Sequence, residues 1–105
     1  MAENYYPSGF LAGGWNIGIK DQSLDFGVLM SECEASAAGV FTKNNFPGNP
    51  VIVGKNHIQS GKARVIIVNS KNANVSNGSE GLHVAYESCK IAAQHLGIKK
   101  EEVLP

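Results

Sequence analysis

The hydrophobic pattern of this chain is clearest in its second half. Residues 63–70 read ARVIIVNS, with Val65-Ile66-Ile67-Val68 the longest uninterrupted aliphatic run. These β-branched residues show no polar alternation, so the pattern predicts a strand covered on both faces. Residues 80–96 carry apolar or small side chains at Leu82, Ala85, Tyr86, Cys89, Ala92, Ala93 and Leu96. Steps of three and four place them in one stripe, which predicts one long amphipathic helix. Asn77 followed by Glu80 has the form of a capping box, and Ser79 is an alternative cap. Gly97 fits the left-handed position after the helix, with Ile98 packing back on the last turn. The balanced run Lys99-Lys100-Glu101-Glu102 reads as solvated, and Val103-Leu104 as the beginning of another strand. Strand, polar loop, helix, turn and strand together begin a β-α-β unit. Because its second strand stops after two residues, the expectation is a fragment or one piece of a larger assembly.

The first half is richer in glycine. Residues 9–20 (GFLAGGWNIGIK) predict an irregular or bulged strand. Their glycines do not fit G-x-G-x-x-G, and no P-loop Lys-Ser/Thr follows, so a phosphate cradle is unsupported. Asp21-Gln22-Ser23 predicts a turn, residues 24–31 a second strand, and the two strands a hairpin. Residues 32–36 read as a polar break, and residues 37–42 (AAGVFT) as a third short extended segment. Residues 43–50, rich in Asn, Gly and Pro, read as a loop. Pro50 would open Val51-Ile52-Val53 as a short strand or a lead into helix. Residues 55–61 predict one or two helical turns ending at Gly61.

Composition narrows the class. The chain has 105 residues, nine Lys+Arg against nine Asp+Glu, and a 43% apolar fraction. That is one small folded domain or part of one. Zero net charge argues against a nucleic-acid-binding module. No apolar stretch reaches the roughly 18 to 20 residues that span a bilayer. The first residues lack the basic and apolar regions of a signal peptide, so a cytoplasmic protein with reduced thiols is expected. Cys33 and Cys89 form no C-x-x-C pair. Cys89 falls on the apolar helix face as an inert buried thiol, and Cys33 lies between Glu32 and Glu34, a poor setting for a thiolate. His57, His83 and His95 lack metal-ligand spacing and read as surface or core-edge residues, so no metal is expected.

Residues 69–79 (NSKNANVSNGS) are the unusual stretch, holding four of the chain's ten asparagines. Asn tolerates left-handed backbone angles and bonds local backbone groups, so a tight strand-to-helix connection is one reading. The other is a polar loop at the carboxyl end of a strand, where ligand sites of α/β proteins gather. Asn69, Asn72 and Asn74 are the candidate substrate-adjacent residues. Asn74-Val75-Ser76 and Asn77-Gly78-Ser79 match the glycosylation triplet, but without a secretion signal they read as chance matches.

Four segments carry a resemblance. They are Pro7-Ser8-Gly9-Phe10 leading to Gly18-Ile19-Lys20; Ala37-Ala38-Gly39-Val40-Phe41-Thr42-Lys43-Asn44; residues 63–74 (ARVIIVNSKNAN); and Leu96-Gly97-Ile98 through Glu101-Glu102-Val103-Leu104. In this order they resemble the amino-terminal part of ornithine acetyltransferase, also called the bifunctional glutamate N-acetyltransferase of arginine biosynthesis. The resemblance spans essentially this whole chain and about the first quarter of such a protein. Lys71 departs from it, standing where the family usually has glycine.

The resemblance implies an N-terminal part, residues 1–105, of a single, here incomplete, α/β acetyltransferase domain. The implied fold is a layered α/β/β/α sandwich with a mixed sheet. It implies a precursor that cleaves itself at an Ala-Thr bond, and a freed threonine that carries acetyl from N-acetylornithine to glutamate. It implies partners as well: the rest of the α chain and the β chain, in an α/β heterotetramer. No cofactor is implied, and acetyl-CoA is left open as a further substrate of the parent. Thr42 is the chain's one threonine, and it follows Phe41 rather than Ala. The nucleophile and the family's oxyanion-stabilising Thr-Gly pair would both lie beyond Pro105, so no catalytic residue is carried over. The chain is then an inactive scaffold segment of the enzyme. The alternative reading, from residue chemistry alone, is a stand-alone α/β module that binds a metabolite or a partner.

Overall fold

The computed structural model describes residues 7–70 and 73–105. Four strands form one mixed sheet in the order β1-β2-β3-β4. They are β1 Phe10–Trp15, β2 Phe26–Ser36, β3 Lys62–Asn69 and β4 Val103–Leu104. Two helices, α1 Asn49–His57 and α2 Gly78–Leu96, pack against it. The first three strands pair antiparallel, and β3 pairs parallel with β4 across α2. The mixed α/β architecture and the β-α-β unit agree with the sequence.

The core lies between the sheet and the helices. Val65 and Ile67 of β3, Val103 of β4, Val53 of α1, and Ala85, Cys89 and Ala93 of α2 form its buried cluster. The α2 residues are the small members of the predicted stripe, which lets the helix approach the sheet closely. His57 is buried rather than at the surface or the core edge. Its Nδ1 lies 2.8 Å from the carbonyl oxygen of Val103. A carbonyl only accepts, so Nδ1 carries the proton and ties the end of α1 to β4.

Several expected boundaries move. The first strand ends at Trp15, and the second begins at Phe26, because residues 16–25 wrap around Asp25. The expected polar break at 32–36 is a continuation of β2, with a register shift between Met30 and Ala35. Charged residues are tolerated there because β1 stops pairing at Ser31, which leaves Glu32, Cys33 and Glu34 exposed. Arg64 reaches across the irregular register: its Nη2 donates to the carbonyls of Ser31 and Glu32 at 3.1 and 2.7 Å. Residues 37–42 form no strand. Val40 is fully exposed, and Phe41 turns back over Gly39 and Gly54 instead of entering the sheet. The stretch from Pro50 to Gly61 is one helix followed by a 3-10 turn, with Gly61 left-handed at φ 73°.

The expectation of a β3 covered on both faces is corrected. Ala63, Val65 and Ile67 are buried, whereas Ile66 and Val68 are 40% and 58% exposed. Among the described residues both helices lie on one side, and the other face of the sheet is open.

Candidate functional site

β3 and β4 run parallel, Val65 opposite Val103 and Ile66 opposite Leu104, and β3 continues past the end of β4 to Asn69. The chain leaves β3 at Asn69 and enters α2 after Asn77. A cavity of about 520 Å³ opens here. Its polar lining comes from Asn69, Asn74, Asn77 and Glu80, and Ile17, Ile19 and Phe26 contribute apolar lining from the β1–β2 connection and the start of β2.

The polar wall is an amide cluster. Asn49 Nδ2 donates to Asn74 Oδ1 at 2.8 Å and to Asn77 Oδ1 at 2.6 Å. Asn77 Nδ2 donates to Asn74 Oδ1 at 2.7 Å. Asn74 Nδ2 donates to the carbonyl of Gly81 at 2.7 Å, inside the first turns of α2. The backbone N–H of Asn49 donates to the carbonyl of Asn74 at 2.8 Å, giving an end group of α1 its partner. The cluster thus ties the starts of both helices to the loop after β3. It displaces the expected capping box, since the Asn77 side chain bonds its neighbours and makes no cap bond to α2. Gly81 is the space the cluster needs: a Cβ there would collide with the amides of Asn77 and Asn74.

The apolar wall hangs on a buried carboxylate. Asp25 is 3% exposed. Its Oδ1 accepts from Ile17 N at 2.8 Å, and its Oδ2 from Ile19 N and Lys20 N at 2.7 and 2.8 Å. Burial alone would raise its pKa. The backbone N–H groups of Ile17, Lys20, Ile19 and Gly18 outweigh that and hold it below 3.8. The Asp25 backbone carries the connection onward, its N–H donating to the carbonyl of Trp15 and its carbonyl accepting from Ser70 N, both at 2.9 Å. Ser70 Oγ is buried without a partner among the described residues.

Of the sequence candidates, Asn74 sits at the hub of the cluster and Asn69 lines the cavity from the end of β3. Asn72 lies outside the described residues. Sequence reasoning missed Asn49 and Asp25 as members of this region, and read Asn77 as a helix cap rather than as part of the amide cluster. Asn49 had a signal, an asparagine directly before the proline that opens a helix. Asp25 had one too, a lone carboxylate at the head of an apolar strand behind a glycine-rich loop. Thr42 stands apart and exposed, its Oγ1 accepting from Asn44 N at 3.1 Å. Cys89 is fully buried, and burial pushes its thiol up to about 11. Among the described residues no group of three or more His, Cys, Asp or Glu could hold a metal ion.

Residues 11–105 match the ArgJ family model. The chain is 48% identical over 105 residues to the arginine biosynthesis bifunctional protein ArgJ 2 of Clostridium acetobutylicum, covering all of this chain and 27% of that protein. It is 42% identical over 98 residues to the ArgJ protein of Bacillus cereus, covering 92% of this chain and 24% of that one. The crystal structure of ArgJ from Bacillus halodurans superposes with a TM-score of 0.89 at 35% identity, over 92% of this chain and 51% of that one. Ornithine acetyltransferase from Mycobacterium tuberculosis, complexed with ornithine, gives 0.89 at 31% identity, over 93% and 54%. The chain spans about a quarter of the length of the curated relatives it matches.

Proposed function

Because the chain belongs to the ArgJ family, we propose that it is the amino-terminal segment of an acetyl-transferring enzyme of arginine biosynthesis. The observation that carries this reading is the 48% identity running through all 105 residues, on a backbone that superposes at 0.89 on solved members. In this reading residues 1–105 form the amino-terminal part of one α/β domain. They supply the sheet edge and the helix against which a reactive centre on later residues is set.

The reaction we assign to the whole polypeptide is acetyl transfer from N-acetylornithine to glutamate through an acyl-threonine. Self-cleavage at an Ala-Thr bond would free the threonine's own amine. That amine takes the hydroxyl proton as the oxygen attacks the acetyl carbon, and returns it to the departing ornithine amine. Glutamate's amine then attacks the ester and releases the threonine. The partners are the rest of the precursor, in an α/β heterotetramer in the cytoplasm. Thr42 has no part in this, because its amine is locked in a peptide bond to Phe41. The Asn69–Asn74 loop is the portion of this chain we assign nearest the substrate, since Asn69 and Asn74 line the cavity at the end of β3 together with Pro105.

The test is direct. The polypeptide carrying these residues with their downstream chain is incubated with N-[14C-acetyl]ornithine and glutamate. Label should pass to glutamate, and rapid quenching should leave acetyl on a threonine outside residues 1–105. The same assay on residues 1–105 alone should give no transfer. Absence of transfer from the long polypeptide, or label on Thr42, would overturn the reading.

A further inference from the structure

Asp25 is a buried ionisable group that the reaction above leaves unused. Its carboxylate is 3% exposed and pairs with no cation among the described residues. Its side-chain partners are backbone N–H groups, all within the loop that presents Ile17 and Ile19 to the cavity. Three donors converge on it, and a carboxylate receives them with both oxygens, whereas an asparagine offers one. Its main chain meanwhile bonds Trp15 at the end of β1 and Ser70 at the end of β3. One residue therefore connects the apolar wall to the strand end from which the asparagine wall departs.

We propose that Asp25 is a positioning residue that sets the width of this cavity, holding the Ile17–Ile19 loop at a fixed distance from Asn69, Asn74 and Asn77. This rests on the acetyl-transfer reading in one respect: the ligand received is taken to be the acetyl donor, whose unbranched aliphatic chain suits the isoleucine wall and whose amide and carboxylate oxygens suit the asparagine side.

In the long polypeptide, Asp25→Asn turns one acceptor oxygen into an NH2 group facing backbone donors, which releases part of the loop. KM for N-acetylornithine should rise about tenfold while kcat stays within about twofold. Asp25→Glu, which keeps the charge, should recover part of the loss. Hydrogen exchange should quicken at Ile17, Ile19 and Lys20 and also at residues 73–77. A purely structural role would instead lower the active fraction and leave KM unchanged, and that result overturns the proposal. So does exchange that quickens in the 16–20 loop alone. If Asp25→Asn fails to fold, Ile19→Ala removes only wall and keeps every hydrogen bond; KM should rise in the same sense, and an unchanged KM overturns the proposal. If the unsubstituted polypeptide transfers no acetyl group, the acetyl-transfer reading fails by itself. Exchange at residues 73–77 then decides the clamp, with faster exchange supporting it and unchanged exchange overturning it.

Discussion

Single residues set the geometry of the cavity at the end of β3, and two of them make predictions. Gly81 lies inside α2, where alanine would ordinarily be favoured by about 1 kcal/mol. A Cβ there would collide with the Asn77 and Asn74 amides, which hold four hydrogen bonds between them. At roughly 1 kcal/mol net for each such bond, the loss exceeds the propensity gain, and Gly81→Ala should destabilise the protein by about 1–3 kcal/mol. Denaturant unfolding measures it, and in an Asn77→Ala background the cost should shrink. Asp25 predicts a pH dependence. Its pKa is lowered in the folded protein, so its contribution is complete above its ordinary 3.8 and is lost as pH falls through the folded value. The stability gap between the natural protein and Asp25→Asn should therefore be widest near neutral pH and close in acid, as thermal melts across the range would record. The candidate site was half legible at this scale. Four asparagines in one stretch marked the loop, but Asn49 joins them from 25 residues away in sequence, and only the packing of α1 beside α2 brings it there. No local pattern encodes that meeting.

At the level of elements, periodicity was a reliable guide where a segment buries one clear face. The stripe of α2 and the β-branched run of β3 both fall within a residue or two of their observed limits. It failed where tertiary context decides. Glu32, Cys33 and Glu34 look like a break, yet they continue β2 because their side chains face solvent and Arg64 bonds the carbonyls left by the register shift. The segment at 37–42 has strand composition but finds no edge to pair with. The two cysteines on these elements make a third prediction. Cys33 is exposed on β2, while Cys89 is fully buried on α2 with its thiol pushed up to about 11. A native protein should lose one thiol rapidly to iodoacetamide and the other only on unfolding. Mass spectrometry after a timed pulse distinguishes them, and fast native labelling at Cys89 would mean that α2 separates from the sheet.

Across the whole molecule, the asymmetry of the sheet is the dominant feature. Both helices cover one face, while Leu29, Ile66 and Val68 stand 37%, 40% and 58% exposed on the other. The aliphatic run at 63–70 reads as a strand buried on both sides because its outward residues are as apolar as its inward ones. That composition suits the α/β/β/α layering of the family, in which a second sheet would lie against this face. Ile66 tests the idea because it sits mid-face, with Leu29 on one neighbouring strand and Leu104 on the other. Covering an isoleucine adds roughly 1.5–3 kcal/mol, whereas burying an unpaired lysine costs several. The same substitution, Ile66→Lys, should therefore act in opposite senses in two settings. In residues 1–105 alone, whose apolar face invites self-association, it should shift sedimentation toward monomer with the far-UV circular dichroism unchanged. In the long polypeptide it should lower the melting temperature sharply or abolish assembly, because the charge would be trapped between layers. Equal tolerance in both settings would mean that this face is never covered, and the layered architecture would then fail for this protein.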